Sequence, residues 1–108
     1  MTSQSLEKLC DLATLAHTRI QKDFDDLDPI VGVSQNMRKN AVPADAMTID
    51  CLRSGKRIII ILHDQYPDVL MYQFSFKEKD PKGSFKELDL ADLTEQILYD
   101  WMCNYFAK

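Results

Sequence analysis

The sequence predicts an α+β fold in which an N-terminal helix and a C-terminal helix flank a three- to four-stranded antiparallel meander, packed as a two-layer sandwich. Apolar residues recur at helical spacing in the first and last segments, and they alternate with a period of two in between. Turn-forming pairs, Ser54-Gly55 and Asp80-Pro81, separate the alternating stretches. A length of 108 residues suits one domain, so we expect residues 1–108 to form a single α+β domain.

The first helix is predicted over residues 5–28. Its apolar side chains recur at intervals of three and four, which places them on one helix face. These residues are Leu6, Leu9, Ala13, Ala16, Ile20, Phe24 and Leu27. Ser3 or Ser5 can supply the capping oxygen at the start. Asp28 should end the helix, because the residue before a proline avoids the α conformation.

Residues 29–46 are predicted to be a long connector. Pro29, Gly32 and Pro43 interrupt the segment, and neither the helical nor the strand period is sustained. Its valines and isoleucine argue against full disorder, so we expect it to lie packed over another part of the molecule.

Three alternating or β-branched stretches predict the meander. Residues 47–53 alternate apolar and polar side chains, and the Ser54-Gly55 turn should join them to the run Ile58 to Ile61. With that turn, Cys51 is expected to pair with Ile58. Residues 69–76 form the next strand, and residues 85–90 a short fourth one. Residues 89–108 then form the closing helix, capped by Asp89 or Asp92.

The isoleucine run carries an unusual demand for burial on both faces. In a strand, Ile58 and Ile60 point to one face of the sheet, whereas Ile59 and Ile61 point to the other. A sheet with one solvated face should alternate apolar and polar residues, and this strand does not. The second face therefore needs a cover. Helices on both faces, the connector or a second copy of the chain could supply it.

Val69 and Met71 should extend the apolar surface of Ile59 and Ile61, because alternation places them on the same face. We therefore predict these four residues as a candidate interface. Two-fold self-association is the commonest way in which soluble chains bury such a surface.

Composition narrows the classes of function. A net charge of −4 argues against nucleic-acid or anionic-membrane binding over the whole surface, and the longest apolar run is far too short to span a membrane. Cys10, Cys51 and Cys103 are odd in number and far apart, which favours a reducing cytoplasm. No motif requires a cofactor or a metal, so we expect none.

Local clusters suggest weaker alternatives. His63 and Asp64 form the most site-like pair, but neighbours in an extended chain point in opposite directions. An acidic run, which includes Asp23, Asp25 and Asp26, suggests a cation site. A basic end of the sheet suggests an anion or nucleic-acid contact. Its residues are Arg53, Lys56, Arg57, Lys77 and Lys79.

The sequence therefore predicts a small non-catalytic cytoplasmic protein that acts through protein–protein contacts as a homodimer or with another protein. The alternatives are an anion or nucleic-acid binding module that uses the basic end and a metal binder that uses the acidic run. An enzyme based on His63 is the least favoured class, because no serine or cysteine nucleophile is linked to it in sequence.

Overall fold

The structure is a computed structural model that describes residues 4–24, 29–76 and 85–106. The predicted α+β fold is confirmed, and the described sheet has five strands rather than three or four. In chain order the elements are helix α1 (Gln4–Asp23), strand β1 (Ile30–Ser34), helix α2 (Asn36–Lys39), β2 (Ala44–Cys51), β3 (Lys56–His63), β4 (Val69–Phe76), β5 (Lys86–Asp89), a 3₁₀ turn (Leu90–Asp92) and helix α3 (Glu95–Phe106).

The sheet is an antiparallel meander in which every strand pairs with its sequence neighbour, in the order β1-β2-β3-β4-β5. The isoleucine-rich β3 is central, as its apolar residues on both faces require. Ile60 lies opposite Met47 on one side and Tyr72 on the other. The outer strands β1 and β5 are the shortest.

Helices α1 and α3 pack side by side on the same face of the sheet. The sheet residues in their common core are alternate residues of each strand, and most are cross-strand partners of one another, so they all point to one face. They are Met47, Ile49, Cys51, Ile58, Ile60, Leu62 and Leu70. Ile59 has the other parity and is not part of this core. The described helices therefore cover one face of the sheet and leave the other face without a helix.

The two long helices are held together by a group of polar contacts. The Arg19 guanidinium lies 3.1 Å from a Glu95 carboxylate oxygen and 4.1 Å from the centroid of the Tyr99 ring. The Tyr99 hydroxyl donates a 2.6 Å hydrogen bond to Asp23, and this bond raises the pKa of Tyr99. Exposed contacts of this kind contribute little stability each, so their main effect is to fix how the helices are aligned.

The segment expected to be an irregular connector holds regular structure. Residues 29–46 contain β1, the single-turn helix α2 and the start of β2. The strand was missed because β1 has five residues and Gly32 lies at its centre, so its alternation is too short to recognise. This additional strand accounts for the higher strand count.

The β2–β3 turn is longer than expected. Residues 52–55 form the loop, in which the Gly55 N–H donates to the Cys51 carbonyl at 2.8 Å. Gly55 has a φ of 72°, which glycine adopts without a steric penalty. Cys51 therefore pairs with Lys56 instead of Ile58. A shift by two residues keeps each side chain on its expected face.

The closing helix also begins later than expected. The Thr94 hydroxyl accepts a 3.2 Å hydrogen bond from the Ile97 N–H, so Thr94 supplies the cap that we had assigned to Asp89 or Asp92. Asp89 instead ends β5, and Asp92 lies in the 3₁₀ turn.

Ile60→Ala should lower the free energy of unfolding by about 2–5 kcal/mol, because Ile60 is fully buried between the helix layer and both neighbouring strands. Leu15→Ala is the matched control. Leu15 is 51% exposed on α1, so its truncation should change stability by no more than about 0.5 kcal/mol. Urea titration followed by circular dichroism measures both, and equal losses would contradict the assignment of the core.

Candidate interaction surface

The structure brings the four predicted interface residues together on the helix-free face of the sheet. Ile61 and Met71 are direct cross-strand partners. Ile59 and Val69 have the same parity as this pair and lie two residues away from it on β3 and β4. We call these four residues the open-face cluster.

Exposure differs within the open-face cluster. Ile59 retains only 9% of its accessible surface, whereas Ile61, Val69 and Met71 are half-buried. The surface available to a partner is therefore formed mainly by the last three side chains. Thr48 and Gln73 flank Ile59 across the ladder, so its neighbours are uncharged. On the β5 side, two exposed acids border the cluster, because Glu87 lies opposite Met71 and Asp89 lies opposite Val69.

At the end of the face near Ile59, two opposite charges are paired with each other. Arg57 and Asp50 are cross-strand partners, and the guanidinium binds the carboxylate with two hydrogen bonds of 2.6 and 3.0 Å. Asp50 is 8% exposed, and its carboxylate raises the pKa of Arg57. Because the two charges compensate each other, a partner that covers this end of the face meets no isolated charge.

The described residues of the predicted basic patch contact different parts of the molecule. Lys56 donates a 2.9 Å hydrogen bond to the Tyr105 carbonyl in the last turn of α3, where a cation also suits the helix dipole. Arg57 is held by Asp50, and Arg53 is exposed in the turn. Lys77 and Lys79 lie outside the described residues. The anion-binding alternative thus remains a prediction.

His63 and Asp64 do not act as a pair. The His63 Nδ1 accepts a 3.1 Å hydrogen bond from the Gln65 N–H, and Asp64 binds Arg38. His63 borders a cavity of about 110 Å³ whose lining also includes Ser5 and Tyr66. The Ser5 hydroxyl donates to the Pro67 carbonyl at 3.2 Å. The nitrogen that a carboxylate would orient in a catalytic relay is therefore occupied by the main chain.

An arginine that the sequence analysis did not select organises this end of the sheet. Arg38 on α2 forms two hydrogen bonds to Asp45, of 2.6 and 2.9 Å, and two to Asp64, of 2.8 and 2.7 Å. Asp45 is 2% exposed and needs such a partner. The hydrogen bonds from Arg38 hold the pKa of both carboxyls below its usual range.

The acidic run is only partly described. Asp23 accepts the hydrogen bond from Tyr99, and Asp25 and Asp26 lie outside the described residues. Within residues 4–24, 29–76 and 85–106, no group of three or more histidine, cysteine, aspartate or glutamate side chains is arranged to hold a metal ion. The cation-binding alternative rests on the sequence pattern alone.

Comparisons with protein-family models, with curated proteins and with solved structures found no match for this chain. Among the helices in the described parts of the chain, none is both long and apolar enough to cross a membrane.

Arg38→Met should destabilise the fold at neutral pH, because it leaves the Asp45 carboxylate buried without a counter-charge. The pH dependence should also change sign. In the wild type, the lowered pKa of Asp45 and Asp64 gives stability that is present above about pH 4 and is lost on acidification below it. In the variant, burial raises the pKa of Asp45, so stability should increase as the pH falls from 7 toward about 5.

Lys39→Met is the matched control for Arg38→Met. Lys39 is the exposed neighbour of Arg38 on α2, so this change should keep the wild-type pH profile. Urea midpoints at a series of pH values compare the two variants. Identical profiles would show that the Arg38 contacts do not govern the ionisation of Asp45.

Proposed function

We propose that this chain is a non-catalytic cytosolic protein that acts through protein–protein contacts, and that it forms a homodimer through the open-face cluster. One observation supports the proposal most directly. Both long helices lie on the opposite face, so the described helices do not cover Ile61, Val69 and Met71.

The sequence suggested two other ways to cover this face, by a helix or by residues 29–46, and the described residues support neither. The helices are not divided between the faces. The described part of residues 29–46 adds β1 at the sheet edge and places α2 beside Asp45, which has the parity of the helix-covered face. A second copy is the remaining candidate of the three that the sequence suggests.

The size and chemistry of the face suit a modest isologous contact. Four strands about 4.8 Å apart, each with about eight residues at a rise of about 3.3 Å, give the whole helix-free face a projected area of roughly 500 Å² per chain, or about 1,000 Å² for two copies. The dimer must therefore cover the whole face and not the open-face cluster alone. That value lies near the lower limit for a specific interface. The apolar centre has the compensated Asp50–Arg57 pair at one end and the acids Glu87 and Asp89 along one edge, which resembles an interface core with a polar rim.

The three thiols agree with a reducing compartment. Cys10, Cys51 and Cys103 are all unpaired, and Cys51 is buried in the core. Burial also raises the pKa of Cys10, which lowers its thiolate fraction and its reactivity. Structural disulfides are typical of oxidising compartments, so this arrangement favours the cytosol.

Ile61→Lys should weaken dimerisation at least tenfold, because two-fold symmetry places the new charge in the interface twice. Light scattering coupled to size-exclusion chromatography, over a micromolar to millimolar range, gives the mass. Leu15→Lys is the matched control, since Leu15 is exposed on α1 and its change should leave the mass unaltered. A wild-type chain that is monomeric throughout, or an Ile61→Lys variant that associates like the wild type, would rule out this interface.

A further inference from the structure

Strand β1 is an edge of the sheet whose protection against pairing is limited to its short length and to Pro29, which directly precedes it. It reads Ile-Val-Gly-Val-Ser over Ile30–Ser34, with no charged residue and no proline within the strand. Ile30, Val31 and Val33 are 47%, 36% and 46% exposed, and they are among the most exposed large apolar residues of the described chain. Edge strands of soluble proteins normally carry charges, prolines or bulges, because their free main-chain groups accept another strand.

The opposite edge of the same sheet has such protection. Strand β5 is four residues long and carries Lys86, Glu87 and Asp89, of which all three are exposed. A lysine and two acids on a short strand are the common means of discouraging edge-to-edge pairing. Both edge strands are short, but β5 carries charges that β1 lacks, so β1 is the edge better suited to pairing with another strand.

The helix layer does not extend far enough to bury the β1 valines. Val31 pairs with Ile49 and Val33 pairs with Met47, so all four side chains point to the helix-covered face. Met47 and Ile49 are 1% and 0% exposed, whereas the two valines are at least one-third exposed. The core thus continues onto the edge strand, where its last row is open to solvent.

We propose that β1 pairs with β1 of a second copy, antiparallel and centred on Gly32, so that two chains form a continuous ten-stranded sheet. In this register Val31 of each chain lies opposite Val33 of the other, and the four valines form one apolar cluster on the helix side. Ile30 lies opposite Ser34 on the other face. The ladder adds about four to six main-chain hydrogen bonds, depending on which alternate residues face outward.

The strand is complementary to itself, which is why a second copy is the favoured partner. Antiparallel pairing about Gly32 brings no like charges together and matches each valine with a valine. Gly32 also leaves space at the centre. A Cβ built there would meet the Thr48 Oγ1 at 3.6 Å, an ordinary van der Waals contact, so a side chain fits at this position.

Val33→Lys tests this interface by placing a charge within the apolar cluster. Val42→Lys is the matched control, because Val42 is 40% exposed, a fraction similar to the 46% of Val33, and lies outside the strands. We expect Val33→Lys to reduce the light-scattering mass at matched concentration and Val42→Lys to leave it unchanged. Melting curves at low concentration show whether each variant is folded. Equal masses for folded Val33→Lys and wild type would overturn the proposal.

A position-specific cross-link gives a second test that does not depend on stability. Antiparallel partners have Cα atoms about 4.5–5.5 Å apart, within the range that a disulfide spans. In a background with Cys10→Ser and Cys103→Ser, Gly32→Cys should form an interchain disulfide under mild oxidation, and mass spectrometry of the linked peptides should identify it. Lys86→Cys on β5 is the control and should remain mostly uncross-linked, because Lys86 is exposed and lies opposite Tyr72, away from the open-face cluster. Equal cross-linking at both edges would contradict pairing through β1.

The experiments test the edge interface and the open-face interface independently of each other. If Val33→Lys lowers the mass and Ile61→Lys does not, the edge proposal stands and the open-face dimer is wrong. The reverse result refutes the edge and retains the open face. A chain that uses both surfaces should form species larger than a dimer, reduced by either substitution. A wild type that stays monomeric, without a Gly32→Cys cross-link, overturns self-pairing and leaves the edge to a strand from another protein.

Discussion

The fold depends on a central strand that is apolar on both sides in a molecule whose two long helices lie on one side. Ile58 and Ile60 are fully buried under those helices, and burying such side chains contributes about 1.5–3 kcal/mol each. Ile59 is also nearly buried, although it belongs to the other face and lies outside the helix-packed core. Its cross-strand partners on this face are Thr48 and Gln73. The asymmetry of the helix layer therefore determines which face of the sheet the described helices leave uncovered.

Polar groups at the two ends of the sheet stabilise its outer parts in a way that the apolar core does not. Arg38 joins α2, the start of β2 and the residue that follows β3, and so closes the end of the sheet near Asp45. At the other end, Lys56 joins the start of β3 to the last turn of α3 through the Tyr105 carbonyl. A charged side chain thus links a strand to a helix at each end, and the isoleucines fill the space between.

The sequence was sufficient for the features that depend on local periodicity. The alternation of β4 placed its boundaries at residues 69–76, and the parity of β3 correctly separated Ile60 from Ile59. Features that depend on distant partners were not predictable. Asp45 binds an arginine seven positions earlier in the chain, and no local pattern marks that pairing. Strand β1 was hidden because its five residues become a strand only when β2 lies beside them.

The alignment of α1 with α3 has a consequence for how the chain folds. The strands pair with their sequence neighbours, so the sheet can assemble by short loop closures, whereas the bond from Tyr99 to Asp23 joins residues that are 76 positions apart. During synthesis, α3 emerges from the ribosome after every strand. Until α3 has been synthesised, Ile58 and Ile60 in the nascent sheet are incompletely covered. In that period chaperones can bind the exposed apolar surface.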